Sequence, residues 1–406
     1  MLTLLSACGS GGSNDDTASP VSDDACYNYT GIQDSAEIAS RGFVSDAQGI
    51  CRLQRNHEAL ALSGVDRMLM EGWSGANVML AIVDSGFRLT HESVAPQVQM
   101  VAAYSDANAN YRLDSGEKVL DEAAPLVAAH GTAVTALAAG QGVGVAPGAG
   151  LWLKSLGDEN PYVRDLAIAT TDALANEGLG IINHSNSLYW EAMIYRNAAN
   201  DGTGILPAIL LTDAVVTSAA GNEGRDLSAL LDQAEATDAS LASFLDTPAE
   251  ARHVLLVGAL DRNLADLDDF SNFPGHRETV QARFLVAAGG NLQTASSGGD
   301  NEYRTVEGTS FATPLVSGAM AILQEVNPSL TPVEAADLLL QTAQRPSQLG
   351  YGTNCRTDTD LGSFDSDCGA MKFGAGIMDL PAAVARAALS PSRLLIDVAD
   401  GKRLSE

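Results

Sequence analysis

The chain has 406 residues, 46% of them hydrophobic and 5% aromatic, enough for one large α/β domain or two average ones around a substantial core. Its 51 acidic residues against 23 Lys and Arg give a formal charge of −28. Such a surface repels phosphate backbones and anionic membrane faces, so nucleic acid is excluded as a partner.

The chain opens on Leu5-Ser6-Ala7-Cys8, which has the form of a bacterial lipobox, where a signal is cut before a cysteine that receives lipid. Residues 1–8 read as a signal remnant with this box. Residues 9–55 read as a tether and N-terminal extension, because Gly9 to Asp16 (GSGGSNDD) is polar and flexible. The expectation is an exported cell-envelope protein held to the membrane only through lipid on Cys8. Gly9 does not read as an inner-membrane retention signal, which favours the outer membrane. No apolar run approaches the ~20 residues that a membrane-spanning helix requires. Setting Cys8 aside leaves Cys26, Cys51, Cys355 and Cys368, an even number in a compartment that permits disulfides. Of three connectivities, Cys26–Cys51 and Cys355–Cys368 are expected, because each closes a short local loop.

From Asn56 the character changes, and residues 56–390 read as one domain followed by a tail, 391–406. Val78 to Val83 is a continuous apolar run ending at Asp84-Ser85-Gly86, the pattern of a strand buried on both faces of a parallel sheet. Between it and His130 lies an acidic insertion. Asp106, Asn108, Asn110, Asp114 and Glu117 fall at positions 1, 3, 5, 9 and 12 of a calcium-type loop, with the carbonyl of Arg112 at position 7. These spacings suit a structural Ca2+, although Tyr111 stands where such loops carry Gly; the alternative is a solvated surface insertion. Further short apolar runs follow at Leu151 to Leu153, Gly180 to Asn183, Ala214 to Ser218, Val254 to Gly258 and Phe284 to Ala287. Helical stretches alternate with them at Gly131 to Ala139, Tyr162 to Ala175 and Leu227 to Ala242. A long apolar helix runs from Ser310 through Val326 and another from Thr331 to Gln344. The alternation predicts an α/β fold, a doubly wound and mostly parallel sheet with helices on both faces.

Three segments carry chemistry. Ala81-Ile82-Val83-Asp84-Ser85-Gly86 sets a carboxylate at the end of a buried strand. His130-Gly131-Thr132 opens a helix, and Gly308-Thr309-Ser310-Phe311-Ala312-Thr313-Pro314 puts a serine at the start of another. A serine hydroxyl is a weak nucleophile until a base takes its proton. Imidazole does so near neutral pH, and a buried carboxylate fixes its tautomer and stabilises its cation. A helix N-terminus offers free N–H groups where an oxyanion forms. The order Asp, His, Ser is that of subtilisin, and no G-x-S-x-G elbow supports a hydrolase of the α/β type.

On these motifs the chain resembles the subtilase family of serine peptidases over about Asn56 to Ala388. Gly144-Val145-Ala146-Pro147, Ala219-Ala220-Gly221-Asn222-Glu223-Gly224, Phe270-Ser271-Asn272 and Gly374-Ala375-Gly376 fall in the family's order between and after the three. The resemblance implies a serine endopeptidase acting on proteins or peptides through an acyl-enzyme. Asp84, His130 and Ser310 would be catalytic, with Asn222 in the oxyanion hole and Ser185, Asn186, Ser187, Ala219, Ala220 and Gly221 binding substrate. It implies a monomer with no cofactor for catalysis. The lipobox resembles that of lipid-anchored subtilases of the autotransporter type. Two departures stand out: Ala133 replaces the usual His after His-Gly-Thr, and Ser187 stands where the substrate strand usually has Gly, a side chain expected to narrow the cleft. A catalytically silent binding module and a processing enzyme with one dedicated substrate would carry the same motifs. His91 and His184 read as core or turn support, His57, His253 and His276 show no partner pattern, and Asp358, Asp360, Asp365 and Asp367 read as a solvated loop.

Overall fold

The continuous apolar runs become the strands of one seven-stranded sheet. The computed structural model describes residues 56–103, 127–156, 171, 173–186, 209, 211–237, 245, 248–263, 265–359 and 362–389. The strands are β1 (Met79–Asp84), β2 (Val98–Ala103), β3 (Gly150–Ser155), β4 (Ile181–His184), β5 (Val215–Ala219), β6 (Val254–Leu260) and β7 (Phe284–Ala288). Their order is β2-β3-β1-β4-β5-β6-β7, and every pairing is parallel. The expected doubly wound parallel α/β sheet is therefore what the chain forms.

Burial on both faces explains why the strands read as unbroken apolar runs rather than alternating ones. Along β1, Leu80 and Ile82 enter one core and Ala81 and Val83 the other. Each fully buried Leu, Val or Ile contributes about 1.5–3 kcal/mol relative to exposure. The first core is completed by helices α1 (His57–Leu62), α2 (Val65–Met70) and α3 (Ala129–Ala139), and by the helices that follow the last strands of the sheet. The second takes Leu227 and Leu231 of α4 (Leu227–Thr237), Ala251 of α5 (Pro248–Ala251) and Val280 of α6 (Glu278–Ala282). Helix α7 (Thr309–Val326) is apolar on nearly every side, and the core encloses it accordingly. Helix α8 (Pro332–Thr342) starts at a capping box: Thr331 Oγ1 accepts the Glu334 N–H at 3.2 Å, and Glu334 Oε2 accepts the Thr331 N–H at 2.8 Å.

Two antiparallel pairs lie outside the main sheet, β8 (Leu292–Ala295) with β9 (Tyr303–Val306), and β10 (Asn354–Thr359) with β11 (Gly362–Asp367). The second pair corrects the expectation of a simple solvated loop. Asp358 and Asp365 are exposed but sit in paired strands. Asp367 accepts the Ala370 N–H and so caps α9 (Cys368–Phe373). The Cys355–Cys368 bond, expected from its short loop, ties β10 to the start of α9 with a Cα separation of 5.0 Å, and Phe364 stacks on His276 at 4.1 Å. The chain then enters α10 (Leu380–Ala388), capped by Asp379. The pair Cys26–Cys51, the lipobox at Cys8, the tether, the tail 391–406 and Asp360 lie outside the described residues.

One core histidine links fold and pH. His184 ends β4 and is fully buried, with Nε2 2.8 Å from the Thr171 hydroxyl. Burial pushes its pKa down from 6.5 to about 3, because desolvation penalises the imidazolium. The folded chain thus keeps this ring neutral while the unfolded chain protonates it below pH 6.5. Stability is complete above that value and falls as the pH drops toward 3, by about 1.4 kcal/mol per pH unit. His253, lowered by burial against its bond to the Ala214 carbonyl, adds to the slope. Chemical denaturation between pH 8 and pH 4 will show this acid loss, and His184→Gln, which keeps an amide near Thr171, will flatten the slope without abolishing it. An unchanged slope in the variant would contradict the assignment.

Candidate active site

Where the direction of winding reverses in a parallel sheet, the carboxyl ends of the strands leave a crevice. Here the chain runs from β1 outward to β2 and back to β3, then crosses to β4 on the other side of β1. Asp84 is the last residue of β1, at the edge of that crevice, and is only 3% exposed. Its Oδ1 accepts the Ser85 N–H at 2.7 Å and the Ser85 hydroxyl at 3.1 Å.

His130 is the second residue of α3. Its Nδ1 lies 2.9 Å from Asp84 Oδ1 and 3.0 Å from Oδ2. An ionised carboxylate only accepts, so Nδ1 carries the proton and the neutral ring keeps Nε2 free of one. Gly131 makes this approach sterically feasible: a Cβ there would fall 2.3 Å from the Gly86 carbonyl oxygen and 3.0 Å from Asp84 Cβ. Thr132 braces the same turn. Its hydroxyl donates to the Ala128 carbonyl at 2.6 Å and accepts the Arg88 N–H at 2.9 Å. The His130 ring is 40% exposed while its carboxylate partner is covered, so the imidazole opens to the crevice from a buried anchor.

Ser310 is the second residue of α7, whose N-cap is Gly308 at φ 143°. Its N–H belongs to the first turn, which a helix leaves without intrahelical acceptors, and the residue is 8% exposed. The neighbouring Phe311 ring lies 5.3 Å from the His130 ring, which brings the start of α7 beside the imidazole. Asn222 reaches the same helix end. Its Oδ1 accepts both the Thr309 N–H and the Thr309 hydroxyl, each at 2.9 Å. A backbone N–H can only donate, so the atom facing it is the amide oxygen, and Nδ2 is directed elsewhere as a donor. Thr309 also accepts the Gly221 N–H at 3.3 Å. Its grip on Asn222 is a contact that the motif alone did not disclose.

The residues expected to bind substrate divide into three sets. Ser185 is buried, its hydroxyl accepting from Asn183 Nδ2 at 2.9 Å, and Asn186 is half-buried with its carbonyl accepting from Ser218 at 3.4 Å. Ala219, Ala220 and Gly221 are buried, and much of their backbone is committed inward: Ala220 N–H to Val257, Ala220 carbonyl to Asn272 Nδ2, and Gly221 carbonyl to the Asn272 N–H. Ser187 lies outside the described residues, as do Asp106, Asn108, Asn110, Arg112, Asp114 and Glu117. Arg88, unmarked in the sequence, links the Asp84 loop to the segment before β9, with Nε 2.7 Å from Asp300 Oδ1 and Nη1 donating to the Ser297 carbonyl.

The family model described as the Subtilase family, peptidase S8, matches residues 75–370. Subtilisin BL from Lederbergia lenta is 26% identical over 275 residues, covering 67% of this chain and 85% of its own. Among solved structures, a lanthipeptide protease gives a TM-score of 0.57 at 18% identity, over 84% of this chain and 96% of that one. The prenylagaramide maturation protease PagA gives 0.53 at 22% identity, over 80% and 98%. At those identities the two structures are likenesses of fold. The match spans most of the chain, and the chain belongs to the Subtilase family of serine-type endopeptidases.

Proposed function

We propose that this peptidase works through a triad of Asp84, His130 and Ser310, with Asn222 and the Ser310 N–H forming the oxyanion hole. The observation that carries the reading is the pairing of His130 Nδ1 with both carboxylate oxygens of Asp84 at 2.9 and 3.0 Å. It leaves Nε2 as the nitrogen able to take a proton. Ser310 Oγ attacks the scissile carbonyl carbon as its proton passes to His130 Nε2, and Asp84 stabilises the imidazolium. The carbonyl oxygen, now anionic, accepts hydrogen bonds from Asn222 Nδ2 and the Ser310 N–H. The C–N bond breaks as His130 returns the proton to the leaving amine. A water molecule, deprotonated by His130, then releases the acyl group. None of these steps requires a cofactor. Extended polypeptide would lie along Ser185 to Ser187 on one side and Ala219 to Gly221 on the other.

Residues 56–390 would be the catalytic domain of a monomer, exported and anchored in the outer membrane by lipid on Cys8 through the tether of residues 9–55. Residues 106–117 would hold a structural Ca2+ by Asp106, Asn108, Asn110, Asp114, Glu117 and the Arg112 carbonyl, oxygen donors in the number this hard cation takes.

Three outcomes are expected. A fluorescent fluorophosphonate will label the native chain and fail to label Ser310→Ala, and peptide hydrolysis will be lost with the label. A folded native chain that stays unlabelled would point instead to a silent binding module. Chelation by EDTA will lower the melting temperature by several degrees, and added Ca2+ but not Mg2+ will restore it; a melting temperature indifferent to both would remove the metal from the account. Radiolabelled palmitate fed to cells expressing the full chain will enter the native protein and not Cys8→Ser; equal labelling, or none, would refute the anchor.

A further inference from the structure

We infer that Asn272 is a positioning residue of this active site, acting through Asn222 by fixing the loop that carries it. The inference rests on the reading of Asn222 as the oxyanion donor and adds what holds that donor in place.

Gly221 to Asp226 leaves the end of β5 as a loop, with Asn222 to Arg225 exposed. An exposed loop cannot hold a hydrogen-bond donor to within the few tenths of an ångström that oxyanion stabilisation demands unless something rigid supports it. The support is Asn272, fully buried beneath it. Its Nδ2 donates to the Ala220 carbonyl and to Glu223 Oε2, both at 2.8 Å. Its Oδ1 accepts the Glu223 N–H at 3.2 Å and the Arg225 N–H at 2.8 Å. Its own N–H donates to the Gly221 carbonyl at 3.0 Å, and its carbonyl accepts the Ser271 hydroxyl at 3.0 Å.

Both amide donors and both lone pairs of the acceptor are thus engaged, the full complement an Asn side chain offers. The partners sit on both sides of Asn222, residues 220 and 221 before it and 223 and 225 after it, while Asn222 itself is left to Thr309. Gly221 completes the fit. It stands at φ 107°, and a Cβ there would lie 2.3 Å from Asn272 Nδ2, so glycine is needed both for the conformation and for the space. Neighbouring backbone bonds run the same way: Gly224 N–H to the Phe270 carbonyl at 2.6 Å and Phe273 N–H to the Arg225 carbonyl at 3.0 Å. The Phe270-Ser271-Asn272 motif is therefore a platform under the oxyanion loop, and Asn272 is its contact point. Aspartate would keep the two acceptor bonds, lose both donors, and set a second carboxylate against Glu223.

The test is a double-mutant cycle on the full chain with a peptidyl p-nitroanilide, rates being expressed per site titrated by a fluorophosphonate so that misfolded protein is not counted. Asn222→Ala should lower kcat by about 10²–10³. Asn272→Ala should lower kcat about tenfold or more with KM within about twofold, and should add less than about threefold in the Asn222→Ala background, because its effect passes through a side chain already removed. If the alanine variant yields no titratable sites, Asn272→Asp takes its place with the same expected split. Equal factors in both backgrounds, an effect on KM alone, or lost sites with normal kcat per remaining site would overturn the inference, as would two variants that both fail to fold. An Asn222→Ala variant with unchanged kcat would instead sink the oxyanion reading, so the two failures are told apart.

Discussion

The hydrogen bond from His130 Nδ1 to the Asp84 carboxylate joins residues 46 positions apart in the chain, and much of the architecture is what lets it form. Asp84 must sit buried at the end of a central strand, which a parallel sheet with both faces covered provides. Helix α3 must then arrive with its first turn almost against the strand end, which only a missing side chain at Gly131 allows. Ser85 holds the carboxylate from one side, and Thr132 ties α3 back to the loop at Arg88. Burial keeps the carboxylate away from competing water, and Ser85 gives Oδ1 two further hydrogen bonds, which offset part of the cost of burying it.

The other half of the site depends on α7. Its length and apolar surface drive it into the core, and its first turn is delivered to the crevice as a consequence. Polar groups within this core are paired and so fix how the helix is rotated: Ser317 bonds Thr217 at 2.6 Å and Asn183 at 2.9 Å. Buried hydrogen bonds between helix and strands specify one arrangement where apolar packing alone would tolerate several. The Asn222 loop follows the same logic from the opposite side, where a saturated Asn272 stands beneath it.

Most of the sheet is legible in the sequence because strands buried on both faces are continuous apolar runs, and six of the seven strands carry that signature. The exception is β2, an edge strand with Gln99 and Met100 exposed, whose apolar run is broken at Gln99. The pairs β8–β9 and β10–β11 escaped for a related reason. Segments such as Asn354–Thr359 and Gly362–Asp367 carry no apolar pattern, and the second pair is held by a disulfide and by Phe364 on His276. Within the site, Asp84, His130 and Ser310 stand out because reaction chemistry restricts their residue types, and Asn222 through the resemblance of its segment to a family motif. Thr309, Arg88 and Asn272 act by contact across 44 to 212 residues, and no local spacing announces such a partner.

In the proposed mechanism Asp84 sets the tautomer of His130 and stabilises its cation. Asp84→Asn keeps the shape and removes the charge. The deciding measurement is kcat of that variant on a peptidyl p-nitroanilide, expressed per folded molecule with the melting transition monitored in parallel. A fall of about 10⁴ with folding retained is expected. A variant that keeps its fold and loses less than about tenfold would contradict it, leaving the Asp84–His130 bond a matter of structure alone.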